Sequence, residues 1–388
     1  MTATPDASDV EARTSPSVAG YCTFLGVAAT LATGQLFGFI PLIPHIAEDL
    51  GDRSKLGLPL FAAGYALGML LIGSLAGRFG ARRVLIVCLA AGGVASAATA
   101  LAPDVGTLLV LRSVEGIVLG GFPPAAFVAS AQKVPPARIL HANSAMVFGL
   151  LGSAGVAGLV STGLLTVTGW RGAMSVYAVL LLAVSAVAAV QGGIAPGRRS
   201  DVHPYRLLVS EIVNGPVALS AAVGAVVMAT FVTVNSAVQQ GEEALVGLVL
   251  VLVLVVLLIA AASRIVRCPA EIRRLVGFGT TLAGAAVLWF VDGGELVALL
   301  LVTVGATVTV PASIQLVVAA ARRSVPAAVA IFTASLFVGG ALAGLSATGL
   351  VRVAAHDALA VIVVSGAVSG AALVVSIRGR AAGSEDGR

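Results

Sequence analysis

The sequence predicts an all-α membrane protein with twelve transmembrane helices in two bundles of six, and three observations lead to this fold class. Hydrophobic residues make up 58% of the 388 residues and charged residues only 11%, with a mean hydropathy of +1.04, a balance that a water-facing surface does not support. Apolar stretches recur along the chain at the length of roughly 20 residues that a spanning helix needs. The longest internal break divides these stretches into six and six.

The predicted helices follow in chain order, each an apolar stretch between polar breaks. Those of the first bundle are 18–42, 56–77, 83–102, 106–130, 138–163 and 171–190. Those of the second bundle are 215–238, 244–263, 275–291, 296–319, 325–350 and 357–377. The predicted organisation is therefore an N-terminal tail (1–17), a first bundle (18–190), a central loop (191–214), a second bundle (215–377) and a C-terminal tail (378–388).

The basic residues predict how the chain crosses the membrane, because short loops rich in Lys and Arg stay in the cytoplasm. With both tails and the central loop in the cytoplasm, most of the 23 Lys and Arg residues fall on that side. The outer segments hold Arg53, Lys55, Arg171 and Arg352, and Arg112 lies within a helix. We therefore expect a multi-pass protein of the bacterial cytoplasmic (inner) membrane. The basic residues form no patch with interleaved aromatics, so they predict contact with anionic lipid and not with nucleic acid.

A segment rich in glycine and arginine follows the second predicted helix. It reads GSLAGRFGARR from residue 73 to residue 83, and it resembles the signature of the loop between helices two and three in the major facilitator superfamily. Glycines allow a tight turn, while arginines anchor the cytoplasmic face. The resemblance implies a gating loop that uses Gly73, Arg78, Gly80, Arg82 and Arg83. Gly77 stands where the family usually has an Asp that helps to latch the outward-open state, so a different or weaker latch is implied.

The fourth predicted helix carries a second resemblance. Residues 111–116 read LRSVEG, which is similar to the family's Arg-x-x-Gln-Gly element, with Glu115 where Gln is usual. Segment 41–51 and the pair Trp170-Arg171 are also similar to family members. The resemblance implies two bundles around a central cavity and secondary transport by alternating access.

Among the branches of this family, the chain looks most like the twelve-helix exporters that exchange drugs or metabolites for protons. Helix five of such antiporters usually holds a Gly-Pro pair, whereas segment 149–158 is rich in glycine and has no proline. The resemblance implies proton-coupled efflux of small organic compounds, with drug resistance or metabolite export as its role. Uptake of a nutrient by proton symport or facilitated diffusion stays open, and so does a non-transporting sensor.

Arg112 and Glu115 are the ionisable side chains that the sequence places inside predicted helices. Such a side chain costs at least ~2.5 kcal/mol at the bilayer centre, so it usually faces a cavity or a partner. Their spacing puts both on one face of the helix, within reach of each other. We hypothesise that Glu115 exchanges a proton while Arg112 adjusts its pKa by pairing with it. The alternative is a permanent ion pair that only holds the helix against its neighbours.

Polar or aromatic side chains on the predicted helices are the candidates for a substrate cavity. They are Gln35, Tyr65, Asn143, Asn235, Gln239 and Gln315. Each of them could instead hydrogen-bond to a neighbouring helix. Because few charges lie within the helices, the cavity is expected to take an apolar or zwitterionic small molecule. Pro123, Pro124 and Pro311 are expected to bend helices four and ten.

The sequence also bounds the energy source and the partners. It has no Gly-x-x-x-x-Gly-Lys-Ser/Thr segment, so ATP is not expected to drive the protein. The four His and three Cys residues are scattered over loops and helices, so neither a metal site nor a cofactor is expected. No set of catalytic groups converges, which argues against an enzyme. The expected partners are a small-molecule substrate, protons and membrane lipid, and the protein is expected to be a monomer.

Overall fold

The computed structural model describes residues 18–135, 139–191, 204–239, 244–260 and 268–347. Throughout these ranges the regular structure is helical and includes no strand, which confirms the all-α prediction. The predicted tails 1–17 and 378–388 and predicted helix twelve, 357–377, lie outside the described residues, as does most of the predicted central loop.

Residues 18–191 form what we call the N half. Its helices are α1 Val18–Phe37, α2 Ile43–Leu50, α3 Gly57–Leu71, α4 Ala76–Phe79, α5 Ala81–Ala100, α6 Val105–Gly120, α7 Phe122–Lys133 and α8 Ile139–Val190. Short 3₁₀ turns at Ile40–Leu42, Asp52–Leu56 and Gly73–Leu75 connect the helices from α1 to α4. Predicted helices one to six all fall within these elements.

Residues 215–347 form what we call the C half, and α9 Pro204–Ile212 precedes it. The helices of the C half are α10 Gly215–Gln239, α11 Ala244–Ala260, α12 Ala270–Phe290, α13 Glu295–Ala320 and α14 Val325–Ala347. They match predicted helices seven to eleven. Within the described residues, 8 helical segments are long and apolar enough to cross a membrane. One of them, Phe148–Val190, covers two predicted helices, while α11 is shorter than the others and α12 begins with charged residues.

Three of the predicted helices differ in their continuity from the prediction. Predicted helices five and six are the two parts of α8, which kinks at Gly169 (φ 67°, ψ −178°), a conformation that favours glycine. Predicted helix four is divided into α6 and α7 around Gly121, and Pro123 and Pro124 lie in the first turn of α7. Proline is tolerated there because the first N–H groups of a helix have no partner within the helix. By contrast, Pro311 lies inside the continuous helix α13.

Arg273 and Arg274 precede predicted helix nine (275–291) and so were expected in a loop, but the structure places them in a helix. Both lie near the start of α12, where they are 7% and 3% exposed. Pro269 stands just before this helix and Glu271 is in its first turn, which are ordinary signals of a helix start. The helix begins at Ala270 and not at the predicted residue 275. A search for apolar stretches misses the first turn because the two arginines lower the local hydropathy.

Helices α3 and α6 approach each other so closely that their contact requires glycine. A Cβ atom on Gly68 would lie 1.9 Å from the carbonyl oxygen of Ile117, and one on Gly120 would lie 2.1 Å from that of Tyr65. Close backbone approach is how membrane helices gain van der Waals contact. The contact therefore fixes, against α3, the face of α6 that also carries Arg112.

The two halves meet where α3 packs on α14 and α8 packs on α11. The rings of Tyr65 and Phe337 stack with their centroids 4.1 Å apart, and those of Phe37 and Phe231 meet edge to face at 5.7 Å. Each of these pairs joins one half to the other. Helices α1 and α3, which carry the candidate residues Gln35 and Tyr65, therefore lie at the contact between the halves.

Candidate coupling and substrate site

Arg112 and Glu115 form an ion pair inside the N half. Nη1 of Arg112 donates to Oε2 of Glu115 at 2.8 Å, and both side chains are 0% exposed. The two residues lie one turn apart on α6, as their sequence spacing predicts. A second nitrogen of Arg112, Nη2, donates to the backbone oxygen of Gln35 at 2.8 Å. The arginine therefore ties α6 to α1 as well as to its own helix.

The guanidinium of Arg112 also lies between two aromatic rings. Its Cζ atom is 4.3 Å from the ring centroid of Phe39 and 4.3 Å from that of Phe61. A cation over an aromatic face is attracted by the ring quadrupole, by about 2 kcal/mol or more once water is excluded. Gly57 makes room for this arrangement, because a Cβ atom there would lie 2.9 Å from the Phe39 ring. Arg112 therefore has stabilising contacts besides Glu115.

Glu115 keeps one carboxylate oxygen unused. Oε1 has no hydrogen-bond partner among the described residues, whereas buried polar atoms are usually satisfied. A carboxylate oxygen without a partner can take up a proton, or accept a hydrogen bond from water or substrate. The arrangement can therefore hold a proton without first breaking a hydrogen bond to Oε1.

Gln35 has a buried side chain with unmet hydrogen-bonding capacity. The residue is 1% exposed, and within the described part of the chain neither Oε1 nor Nε2 of its amide has a partner. Leaving such a buried group unsatisfied costs about 1–3 kcal/mol per group. Gln35 lies on α1 one turn before Phe39, so its backbone holds Arg112 while its side chain is available to water or a ligand.

The candidate residues of α10 form a pair of their own. Nε2 of Gln239 donates to Oδ1 of Asn235, and Asn235 is 1% exposed. The remaining polar atoms, Nδ2 of Asn235 and Oε1 of Gln239, have no partner among the residues that the structure describes. This pair therefore offers one donor and one acceptor within the C half.

The other candidates differ in where they lie. Tyr65 is 0% exposed and stacks on Phe337 across the two halves. Oε1 of Gln315 accepts a hydrogen bond from Nη2 of Arg273, so its acceptor is engaged within the C half. The side chain of Asn143 lies outside what the structure describes.

Two buried arginines were not among the site residues that the sequence predicted. Nε of Arg273 donates to the backbone oxygen of Cys268 at 3.0 Å, and Nη1 of Arg274 donates to Oγ of Ser220 at 3.0 Å. Both contacts join the start of α12 to its surroundings in the C half. The signal that could have found them is the helix start at Pro269 and Glu271, which places both arginines inside α12.

A small apolar cavity lies between the halves. It is lined by Ala29, Thr33 and Phe127 of the N half and by Ile314, Thr333 and Leu336 of the C half, among others. Its volume is about 20 Å³, measured for the centre of a water-sized sphere, and about 10–15 Å³ on this measure holds one water molecule. This cavity is therefore too small for a drug-sized molecule.

The predicted gating loop packs against several helices at one end of the N half. Gly80 has φ 90° at the start of α5, and Nη2 of Arg82 donates to the backbone oxygen of Ala189 at 2.6 Å. A cation at a helix C-terminus is favoured by the free carbonyl groups there. A Cβ atom on Gly73 would lie 2.6 Å from the Pro124 ring. The loop thus links α3, α5, α7 and α8, while Arg78 and Arg83 are exposed.

The comparisons with known proteins agree with this fold. The sequence model of the Major Facilitator Superfamily matches residues 25–345. The 4-hydroxybenzoate transporter PcaK of Pseudomonas putida is 35% identical over 154 residues, 39% of this chain and 34% of that protein. The probable multidrug-efflux transporter Rv1634 of Mycobacterium tuberculosis is 28% identical over 191 residues, 46% of this chain and 40% of that protein.

The similarity to solved structures extends over more of the chain than the similarity to curated sequences. The crystal structure of the POT family transporter PepTSo has a TM-score of 0.70 at 14% identity and covers 94% of this chain and 99% of that one, which shows the fold alone. The chain spans less than half the length of the curated relatives it matches. Because the family model covers most of the sequence, the chain belongs to the Major Facilitator Superfamily as a multi-pass membrane protein.

Proposed function

We propose that this protein is a secondary active transporter that exports small organic compounds across the bacterial inner membrane in exchange for protons, by alternating access. Membership of the family and the names of two relatives, a 4-hydroxybenzoate transporter and a probable multidrug-efflux transporter, support a transport role. The observation that carries the proton coupling is the fully buried pair of Arg112 and Glu115, in which one carboxylate oxygen has no partner among the described residues.

Glu115 is proposed to carry the proton. Removing one member of a buried ion pair leaves an uncompensated charge, which costs about 3–5 kcal/mol. When Glu115 becomes neutral here, Arg112 keeps the Gln35 oxygen and the rings of Phe39 and Phe61. These contacts lower the cost of protonation, so the site can exist in both states.

Protonation is proposed to reach the other half through α1. Without Glu115 as an anion, Arg112 depends more on the Gln35 oxygen of α1. Two residues further along, Phe37 contacts Phe231 of α10 in the C half. A shift of Arg112 towards Gln35 therefore acts on an element that touches both halves, which is what coupling between proton and conformation requires.

The proposed substrate site lies between the halves and includes Gln35, Tyr65, Asn235 and Gln239. Gln35 and the Asn235–Gln239 pair supply donors and acceptors that have no partner among the described residues, and Tyr65 supplies an aromatic face. The surrounding apolar residues favour an apolar or zwitterionic small molecule. Asn143 is proposed to join them, whereas Gln315 would first have to leave Arg273. Because the cavity between Thr33 and Thr333 is small, a substrate bound there requires the halves to separate.

Uptake of an aromatic acid by proton symport is the second candidate. Arg112 lies between two aromatic rings, and a guanidinium with flanking rings is chemically suited to a benzoate-like anion. A relative named as a 4-hydroxybenzoate transporter supports this candidate. In this case Arg112 would exchange Glu115 for the substrate carboxylate.

Proton flux in proteoliposomes tests both candidates. Full-length protein is reconstituted in liposomes that hold a trapped pH-sensitive dye at acidic pH, and lipophilic, zwitterionic and aromatic acid compounds are added outside. The variants are Glu115→Gln and, as a matched control, Glu48→Gln, because Glu48 is exposed on α2. Exchange for protons raises the internal pH, and cotransport with protons lowers it.

The outcomes distinguish proton-coupled export, proton symport, facilitated diffusion and a non-transporting sensor. Loss of the dye response in Glu115→Gln, with a normal response in Glu48→Gln, supports proton coupling through Glu115, and the direction of the response separates export from uptake. Compounds that cross all three proteins without proton movement would make Glu115 structural and the protein a facilitator. If no compound crosses the wild-type protein, the transport proposal gives way to a sensor.

A further inference from the structure

Helix α9, which precedes the C half, has an exposed apolar face. Val209 is 65% exposed and Ile212 51%, and Val213, in the turn directly after the helix, is 79% exposed. Their spacing places the three side chains on one side of the helix, and Arg206 is exposed one turn before Val209. A water-facing helix would present polar residues here. The exposed side therefore combines large aliphatic side chains with a cation.

The opposite face of α9 packs across both halves. Leu208 is buried against Ala327 and Ala330 of α14, and Leu70 of α3 packs on the same cluster. These two alanines lie in the first two turns of α14, and each residue of a helix rises about 1.5 Å. Helix α9 therefore lies a few ångströms inside the end of the bundle, a depth that suits a helix at the boundary between headgroups and acyl chains.

A buried carboxylate holds α9 at this depth. Oε1 of Glu211 accepts backbone N–H groups from Arg322, Arg323 and Ser324 at 3.0, 2.6 and 3.0 Å. Its Oε2 accepts from Nδ2 of Asn214 at 3.0 Å. Burial alone would raise the pKa of Glu211, but these hydrogen bonds together hold it below its ordinary value. The carboxylate thus fastens α9 to the turn between α13 and α14.

These hydrogen bonds of Glu211, which we call the clamp, also affect the charge of the exposed surface, because they keep the carboxylate buried. Glu211 is the acidic residue of α9, and it is 0% exposed. The side chains of Arg206, Arg322 and Arg323 are exposed beside it. The surface that remains is apolar and cationic, which is typical of a segment lying on an anionic membrane. It also continues the exposed apolar surface of the spanning helices, where Val325 of α14 is 42% exposed.

We propose that the exposed face of α9 binds anionic phospholipid of the adjacent leaflet, with Val209, Ile212 and Val213 among the acyl chains and Arg206, Arg322 and Arg323 at the headgroups. Glu211 acts as a positioning residue, because it holds the face at the boundary and keeps its own charge away from the lipid. This lipid site is independent of the proposed proton coupling.

Fluorescence quenching in symmetric vesicles tests the proposal. Full-length Val209→Trp is reconstituted in phosphatidylcholine vesicles that contain either brominated phosphatidylcholine or brominated phosphatidylglycerol, and the signal of the wild-type protein, which comes from Trp170 and Trp289, is subtracted. The Ile212→Trp variant provides a second probe if the first does not fold. Arg206→Gln is combined with each probe, and Arg83→Gln is the matched control, because Arg83 is an exposed arginine at the same end of the bundle.

The expected result is stronger quenching by the brominated anionic lipid than by the zwitterionic one. One arginine near a surface changes the local preference about fivefold, so Arg206→Gln should reduce the difference by up to that factor and Arg83→Gln should leave it unchanged. Equal quenching by both lipids would overturn the anionic preference. Absence of lipid quenching in both probes would overturn the proposal and leave the face to water or a protein partner.

Discussion

At the scale of single residues, Arg112 shows how a charge is accommodated inside a membrane protein. Its partners are a carboxylate one turn away, the backbone oxygen of Gln35 and two aromatic rings. The sequence predicts the first of these, because spacing along a helix is local. The other partners, Gln35, Phe39 and Phe61, are more than 50 positions away along the chain from Arg112. The sequence alone does not predict that they lie next to it in space.

A double-substitution cycle should separate the contributions around this pair. Arg112→Met alone leaves Glu115 buried without its partner, so we expect a loss of stability of about 3–5 kcal/mol. In the double variant Arg112→Met/Glu115→Gln no buried charge remains, and much of that loss should be recovered. The measurement is the free energy of unfolding of each purified variant in detergent. A double variant no more stable than the single one would contradict this account.

Acid sensitivity is expected from Glu211. Its pKa is below the ordinary value of about 4.3 in the folded protein, so its ionised form stabilises the fold above that ordinary value. This stabilisation should be lost as the pH falls from there through the lowered pKa. Thermal unfolding from pH 7 to pH 3 should show a loss in the wild-type protein that Glu211→Gln lacks. The exposed control Glu48→Gln should follow the wild type, and a Glu211→Gln curve parallel to the wild type would refute the assignment.

At the scale of elements, helix contacts in this protein depend on glycine. Small residues recur four apart at Gly64 and Gly68 and at Gly116 and Gly120, a spacing typical of closely packed membrane helices, and the structure brings α3 and α6 into contact at Gly68 and Gly120. The start of α12 and the continuity of α8 were less accessible to sequence reasoning. Arg273 and Arg274 resemble loop charges until their burial is known, and hydropathy does not reveal whether Gly169 kinks a chain or ends a helix.

The glycine contact leads to a substitution test. Gly68→Ala would force a methyl group to within 1.9 Å of a backbone oxygen, so α3 and α6 must move apart, at a cost of about 1–3 kcal/mol. Gly163→Ala on α8 is the matched control, because a Cβ atom there meets nothing within 4 Å. Thermal stability in detergent should fall for the first variant and should not fall for the second, where alanine only favours the helix. Equal thermal stability of the two variants would show that α3 and α6 move apart without a measurable cost.

At the scale of the whole molecule, the fold class and helix order follow from the sequence, whereas the contact between the halves does not. Apolar stretches and loop charges determine where the chain crosses the membrane. The stacking of Tyr65 on Phe337 and the size of the small cavity depend on how the two halves pack against each other. The predicted candidates Gln35 and Tyr65 do lie near the contact between the halves, while Gln315 bonds to Arg273.

Weakening the contact between the halves should change the conformational equilibrium. Phe337→Ala removes the stacking partner of Tyr65, worth about 0.5–1.5 kcal/mol beyond its buried area, so states with α3 and α14 apart should gain population. Spin labels at positions 53 and 292, in exposed turns of the two halves, report this as a shift to longer distances. Cys22, Cys88 and Cys268 are replaced by alanine first. Phe290→Ala, at a side chain that is 80% exposed, is the control, and the same shift in both variants would contradict the prediction.

The clamp at Glu211 has a consequence for how this protein can change during evolution. Three consecutive N–H groups converge on one oxygen atom, which is possible only for one length of the turn that carries them. Inserting or deleting a residue between Ala321 and Val325 would move these groups out of register and leave a buried carboxylate without donors. Turn length and an acidic residue at this place in α9 should therefore be inherited together, whereas the exposed turn around Gly293 is free to vary in length.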